Sequence, residues 1–115
     1  MHIEFSSDKT KLTARFFGEL DHHSAAEARE RTDDMLSIGI YHSLVLDLTG
    51  LDFMDSSGIG LIMGRYKKLV PMEGEIYVCN MGISVQRIFK LSGLFKITKH
   101  SFQIDRIVNE EVTYE

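Results

Sequence analysis

The feature that most limits how this chain can fold lies between Leu44 and Leu69. Leu44-Val45-Leu46-Asp47-Leu48 is short and almost wholly apolar, the pattern of a central parallel strand covered on both faces. Ile59, Ile62, Met63, Tyr66 and Leu69 then recur at spacings of three and four, the stripe of an amphipathic helix. Between them stands Phe53-Met54-Asp55-Ser56-Ser57-Gly58-Ile59-Gly60. Two adjacent hydroxyls beside an acid open the helix, with Asp55 as its expected N-cap. A phosphate placed there faces free backbone N–H groups and the positive end of the helix dipole. The run reads as a place to attach and remove a phosphate, with Ser57 as the switch.

The rest of the chain surrounds this unit with similar ones. Ile3 and Phe5 share a face, Ser6 to Lys9 form a turn, and Leu12, Ala14 and Phe16 alternate with Thr13, Arg15 and Phe17. Two antiparallel strands are expected there. After Gly18-Glu19-Leu20-Asp21 a helix is expected to begin near His22 to Ser24, with Ser24 and Glu27 spaced as a capping box and Gly39 as its stop. Ala25, Ala28, Met35 and Leu36 would line its inner face. Pro71 and Gly74 close the central helix, and Glu75 to Cys79 supply another strand. Val85, Ile88 and Phe89 mark a shorter helix capped by Ser84 and ended by Ser92-Gly93. Leu94 to Thr98 read as a further strand. Ile104, Ile107 and Val108 mark a last helix with Ser101 as its cap. The order β-β-α-β-α-β-α-β-α is that of an α/β domain with a mixed, mostly parallel sheet and about four helices.

Composition narrows the function. The 115 residues, 43% hydrophobic, suit one domain over 1–115. The single cysteine, Cys79, excludes an internal disulfide and suits a reducing, cytoplasmic setting as a buried hydrophobe. His2, Glu4 and Asp8 break any apolar leader, and no apolar run approaches a membrane span. The net charge of -4 leaves no broad basic face for nucleic acid. Arg65, Lys67 and Lys68 form one small basic group expected on the solvent side, while Ile62, Met63 and Tyr66 face the sheet.

Four segments together resemble the STAS family of anti-sigma factor antagonists, within it the sporulation branch. They are Gly18-Glu19-Leu20-Asp21-His22-His23, Asp52-Phe53-Met54-Asp55-Ser56-Ser57-Gly58, Gly64-Arg65-Tyr66-Lys67 and Leu91-Ser92-Gly93-Leu94-Phe95-Lys96. The resemblance implies that Ser57, the second serine of Asp-Ser-Ser-Gly, is phosphorylated by the anti-sigma factor, an ATP-dependent serine kinase. It implies that a PP2C-like phosphatase removes the phosphate. The unmodified antagonist then binds the anti-sigma factor and frees the sporulation sigma factor. The stress-response branch shares the switch serine and stays open. A partner surface is expected from Asp21, His22, His23, Asp52, Asp55, Ser56, Gly58 and Arg65.

The same residues exclude several rival chemistries. Gly58, Gly60 and Gly64 miss the spacing of a dinucleotide fingerprint, and no Gly-Lys-Ser/Thr closes a P-loop. A small nucleotide- or anion-binding regulatory domain, using the helix start unmodified, is the remaining alternative. Gly60 and Gly64 are expected to serve close packing, and Gly58 to let a partner backbone approach. Asp21, His22 and His23 lack further ligands at metal spacing. Ser57 lacks the base of a nucleophilic serine, and the Gly-x-Ser-x-Gly elbow is missing, so Asp47 and Asp52 do not make a hydrolase. No enzyme activity, cofactor or metal is expected. A phosphate on Ser57 would add about -1.5 to -2 charge. Asp52 and Asp55 are near it in sequence and no arginine or lysine is, so no intramolecular capture of the phosphate is expected.

Overall fold

The computed structural model describes residues 1–101 of the chain. Two strands open the fold, β1 (His2–Asp8) and β2 (Lys11–Leu20). They pair antiparallel from His2↔Phe17 to Asp8↔Lys11. The ladder consumes Ser6 and Ser7, so the turn shrinks to Lys9 and Thr10, later than the expected Ser6 to Lys9. Helix α1 (Ala25–Ser37) follows, then β3 (Ser43–Met54), α2 (Ser56–Leu69), β4 (Glu75–Cys79), α3 (Ile83–Ser92) and β5 (Lys99–Ser101). The sheet order is β1-β2-β3-β4-β5, and every pair after the first is parallel.

The expected mixed, mostly parallel α/β sheet is therefore present, with three α-helices among the described residues. The helix expected over Ile104 to Val108 lies outside them. Leu94 to Thr98 are not a strand: Leu94–Lys96 form a 3-10 turn. The chain needs that turn because Gly93 ends α3 at φ +81 and leads Leu94 straight into the core. Strand β5 begins only at Lys99.

All five residues Leu44 to Leu48 are buried, as their apolar run requires. Leu44, Leu46 and Leu48 share one core with Ala28 of α1, Leu61, Ile62 and Leu69 of α2, and Val85 and Phe89 of α3. The alternate residue Val45 packs with Tyr77 and Cys79 in a separate small cluster. This pattern puts all three helices on one sheet face. Burial, with Asp47 nearby, pushes the Cys79 thiol up to about 12.

Strands β2 and β3 end together. Gly18 takes φ +104 at an irregularity in their pairing, a conformation that side-chain-bearing residues avoid. Beyond it Leu20 pairs with Met54, and the Asp55 N–H donates to the Leu20 carbonyl at 3.2 Å. The starts of α1 and α2 thus emerge side by side at the carboxyl edge of a parallel pair, where open α/β sheets present their sites.

Candidate functional site around Ser57

Asp55 is extended, at φ -112 and ψ -165, and its carboxylate accepts the Ser57 N–H at 2.8 Å. Helix α2 begins directly after it, at Ser56, three residues earlier than its apolar stripe. Ser56 is exposed and Ser57 half-buried. Ser57 lines a groove of about 360 Å³ with His22, Ala25, Ala26, Arg29, Gly60 and Leu61. Ser56 is not among its walls. The two adjacent hydroxyls are therefore inequivalent: one faces a shaped groove and the other faces open solvent.

The neighbouring turn is built by Asp21. Its carboxylate accepts the N–H groups of His23 at 2.9 Å and Ser24 at 3.0 Å. The Ser24 N–H, more than any other contact, holds the Asp21 carboxyl below the usual carboxylate range; partial desolvation opposes it, and His23 adds to it. The capping box expected of Ser24 and Glu27 is not formed. Ser24 is still the residue before the helix, which starts at Ala25, but its Oγ donates to the Glu19 carbonyl at 2.8 Å and accepts the Asp21 N–H at 3.0 Å. His22 and His23 are exposed, with ring centroids 5.8 Å apart in an edge-on arrangement. Among the described residues no group of three or more metal-ligating side chains gathers.

Asp52 is exposed beside Phe53, which is 46% exposed. Asp47 is taken up elsewhere. It lies 3.5 Å from Arg15 Nε and accepts from Thr49 N–H, Thr49 Oγ1 and Asn80 Nδ2. Those partners explain how a carboxylate can be buried in the central strand.

Several expectations about α2 are corrected. Arg65 is 4% exposed and is not on the solvent side. Its Nε lies 3.0 Å from Asp33 Oδ1 of α1, a contact that fastens the two helices. Burial lowers the guanidinium's proton affinity, Asp33 restores part of it, and the nearby Arg29 lowers it further. Lys68 reaches the other Asp33 oxygen at 3.7 Å. Met63, expected to face the sheet, is 42% exposed. Gly58 is buried, and a Cβ there would press on Met54 and come 3.1 Å from Leu20 Cδ2. It permits packing inside the molecule, not a partner's approach. Gly60 and Gly64 show the reverse, since a Cβ at either would meet nothing within 4 Å. Likewise α3 begins at Ile83 after Gly82, so Ser84 lies inside the helix and not at its cap.

Sequence proximity hid two kinds of site residue. Arg29 is far from Ser57 in the chain yet shares its groove. The signal was present: residues 22, 25, 26 and 29 recur at helical spacing and so lie along one side. Ile83, 76% exposed at the start of α3, follows a parallel strand as Ser56 does and adds an apolar residue at the same sheet edge.

Residues 3–110 match the STAS domain family. The chain is 41% identical over 97 residues to an anti-sigma F factor antagonist of Paenibacillus polymyxa, covering 84% of this chain and 83% of that protein. It is 34% identical over 95 residues to an anti-sigma F factor antagonist of Lysinibacillus sphaericus, covering 82% and 81%. The Bacillus cell fate determinant SpoIIAA, solved in its phosphorylated form, superposes with a TM-score of 0.73 at 27% identity, covering 94% of this chain and 98% of that one. With its domain matched almost end to end, the chain belongs to the STAS family, in the branch of anti-sigma factor antagonists.

Proposed function

We propose that this chain is a phosphorylation-switched anti-sigma factor antagonist of the sporulation type, with Ser57 as the switch. The observation that carries the reading is the inequivalence of the two serines. Ser57 alone lines a groove, and its amide is held by Asp55. Two relatives that are anti-sigma F factor antagonists point to the same pathway.

In this reading the partner is an anti-sigma factor that is also a serine kinase. The Ser57 Oγ forms a bond to the γ-phosphorus of ATP, the bond to ADP breaks, and the hydroxyl proton passes to the kinase. A PP2C-like phosphatase transfers the phosphoryl group to water. The docking surface consists of Asp21, His22, His23, Asp52, Asp55 and Ser56, with Phe53 and Ile83 as exposed apolar contacts. Arg65 and Gly58 are withdrawn from it because both are buried. Phosphorylation blocks docking because the partner would have to desolvate the added negative charge, which costs several kcal/mol.

The test is incubation with the cognate anti-sigma factor and ATP, followed by intact mass and peptide mapping. A gain of one phosphate on Ser57 is the expected result. Stable nucleotide binding with no mass gain would replace the reading by the anion-binding alternative.

A further inference from the structure

We propose that Arg29 is the built-in receptor for the phosphate on Ser57, assisted by His22. The modified side chain would then dock across the α1–α2 groove of its own molecule. This inference rests on the reading of Ser57 as the phosphorylated residue. Three observations carry it.

The first is placement. Arg29 and His22 form one side of the groove of which Ser57 forms the other. The second is availability. Arg29 is exposed, and among the described residues it forms no ion pair and no hydrogen bond. Its acidic neighbours are not engaged with it. Glu27, Glu30, Asp33 and Asp34 line an adjoining groove with Arg29, yet none comes within ion-pair distance, and Asp33 is occupied by Arg65 and Lys68. Arg29 also lies close enough to Arg65 to lower its proton affinity. Arg29 is therefore the unengaged cation that an incoming dianion would meet in this groove.

The third observation is space. Ala25 and Ala26 are small, and Gly60 has no side chain where a Cβ would meet nothing within 4 Å. Three small residues leave the groove open between the serine and the guanidinium. A guanidinium offers two parallel donors to a phosphate, the geometry that favours arginine over lysine at such sites. The Asp55 carboxylate already occupies the Ser57 N–H and repels the phosphate, which favours its leaning toward α1.

The consequence is that phosphorylation does more than add charge to a docking surface. It ties the Ser57 end of α2 to α1 and fills the groove beside the Asp21–His23 turn. The modified form is then locally closed as well as repulsive.

The test uses the full chain with phosphoserine genetically encoded at position 57, titrated by ³¹P NMR beside the same chain carrying Arg29→Gln. A nearby cation favours the dianion. The phosphate midpoint in the parent chain is therefore expected about half a pH unit below that of the Arg29→Gln chain. Arg29→Lys, which keeps the charge and loses the fork, is expected between them. Equal midpoints in the parent and Arg29→Gln chains would overturn the receptor. Because the phosphoserine is encoded, the result is independent of the kinase. Mapping of a kinase-added phosphate to another residue would sink the parent reading separately.

Discussion

The carboxylate of Asp55 accepts the backbone N–H of Ser57 at 2.8 Å, while its own N–H donates to the Leu20 carbonyl at 3.2 Å. One residue therefore caps the switch helix and fastens it to the turn that leads to α1. Changing Asp55 to Ala removes a cap worth ~0.5–2 kcal/mol and leaves the Ser57 amide unpaired. Lower thermal stability and slower phosphorylation by the kinase are both expected. Unchanged melting together with an unchanged phosphorylation rate would make Asp55 a bystander.

The three glycines of α2 should separate cleanly. Gly58→Ala forces a methyl against Met54 and Leu20, and such overpacking costs ~1–3 kcal/mol. Alanine's better helix propensity returns only part of that, ~0.5–1 kcal/mol. Gly60→Ala and Gly64→Ala meet nothing within 4 Å and should each stabilise the fold by ~0.5–1 kcal/mol. Urea denaturation of the three variants checks the signs. Destabilisation by Gly60→Ala would contradict the open groove.

Arg65 and Asp33 should respond asymmetrically. Asp33→Ala strands a buried guanidinium, and breaking a buried pair this way costs up to ~3–5 kcal/mol. Arg65→Met replaces the charge with an apolar chain of similar length and leaves Asp33 to Lys68, so its effect should be much smaller. Equal losses from the two variants in thermal or denaturant unfolding would contradict this asymmetry.

The fold was legible wherever apolar periodicity spoke for itself. Leu44 to Leu48, the stripe from Ile59 to Leu69 and Glu75 to Cys79 all became the elements their spacing implies. The misses share a cause, which is that position along the chain does not reveal what another element brings alongside. Arg65 belongs to a basic triplet in sequence, but α1 supplies Asp33 and buries it. Gly60 and Gly64 have the spacing of a close helix contact, but a Cβ at either would meet nothing within 4 Å. Ser24 and Glu27 have the spacing of a capping box, but Ser24 takes a helical backbone at φ -94 and ψ -17, and its Oγ accepts the Asp21 N–H instead. Asp55 and Ser57 were readable because a cap is a local device. Arg29 was signalled only by its helical spacing from His22, Ala25 and Ala26, and its groove exists only when two helices meet.

The Asp21 turn should be sensitive to acid. The folded pKa of Asp21 is lowered below its ordinary value of 3.8 by the Ser24 and His23 contacts. A lowered carboxylate stabilises the folded turn above the ordinary value and loses that contribution as pH falls through the lower folded one. The Asp21 side-chain carboxyl carbon, followed by NMR, should therefore titrate with a midpoint below the ordinary 3.8. A midpoint at or above that value would contradict the Ser24 and His23 contacts as the cause.

The central claim is that a phosphate on Ser57 abolishes docking while the fold persists. Calorimetric titration of the cognate anti-sigma factor with unmodified chain and with chain carrying phosphoserine at position 57 tests it most directly. Far-ultraviolet circular dichroism of both forms accompanies the titration. Superimposable spectra and at least about a tenfold loss of affinity are expected, since desolvating the added negative charge against a partner costs more than about 1.4 kcal/mol. Equal affinities for the two forms would contradict it.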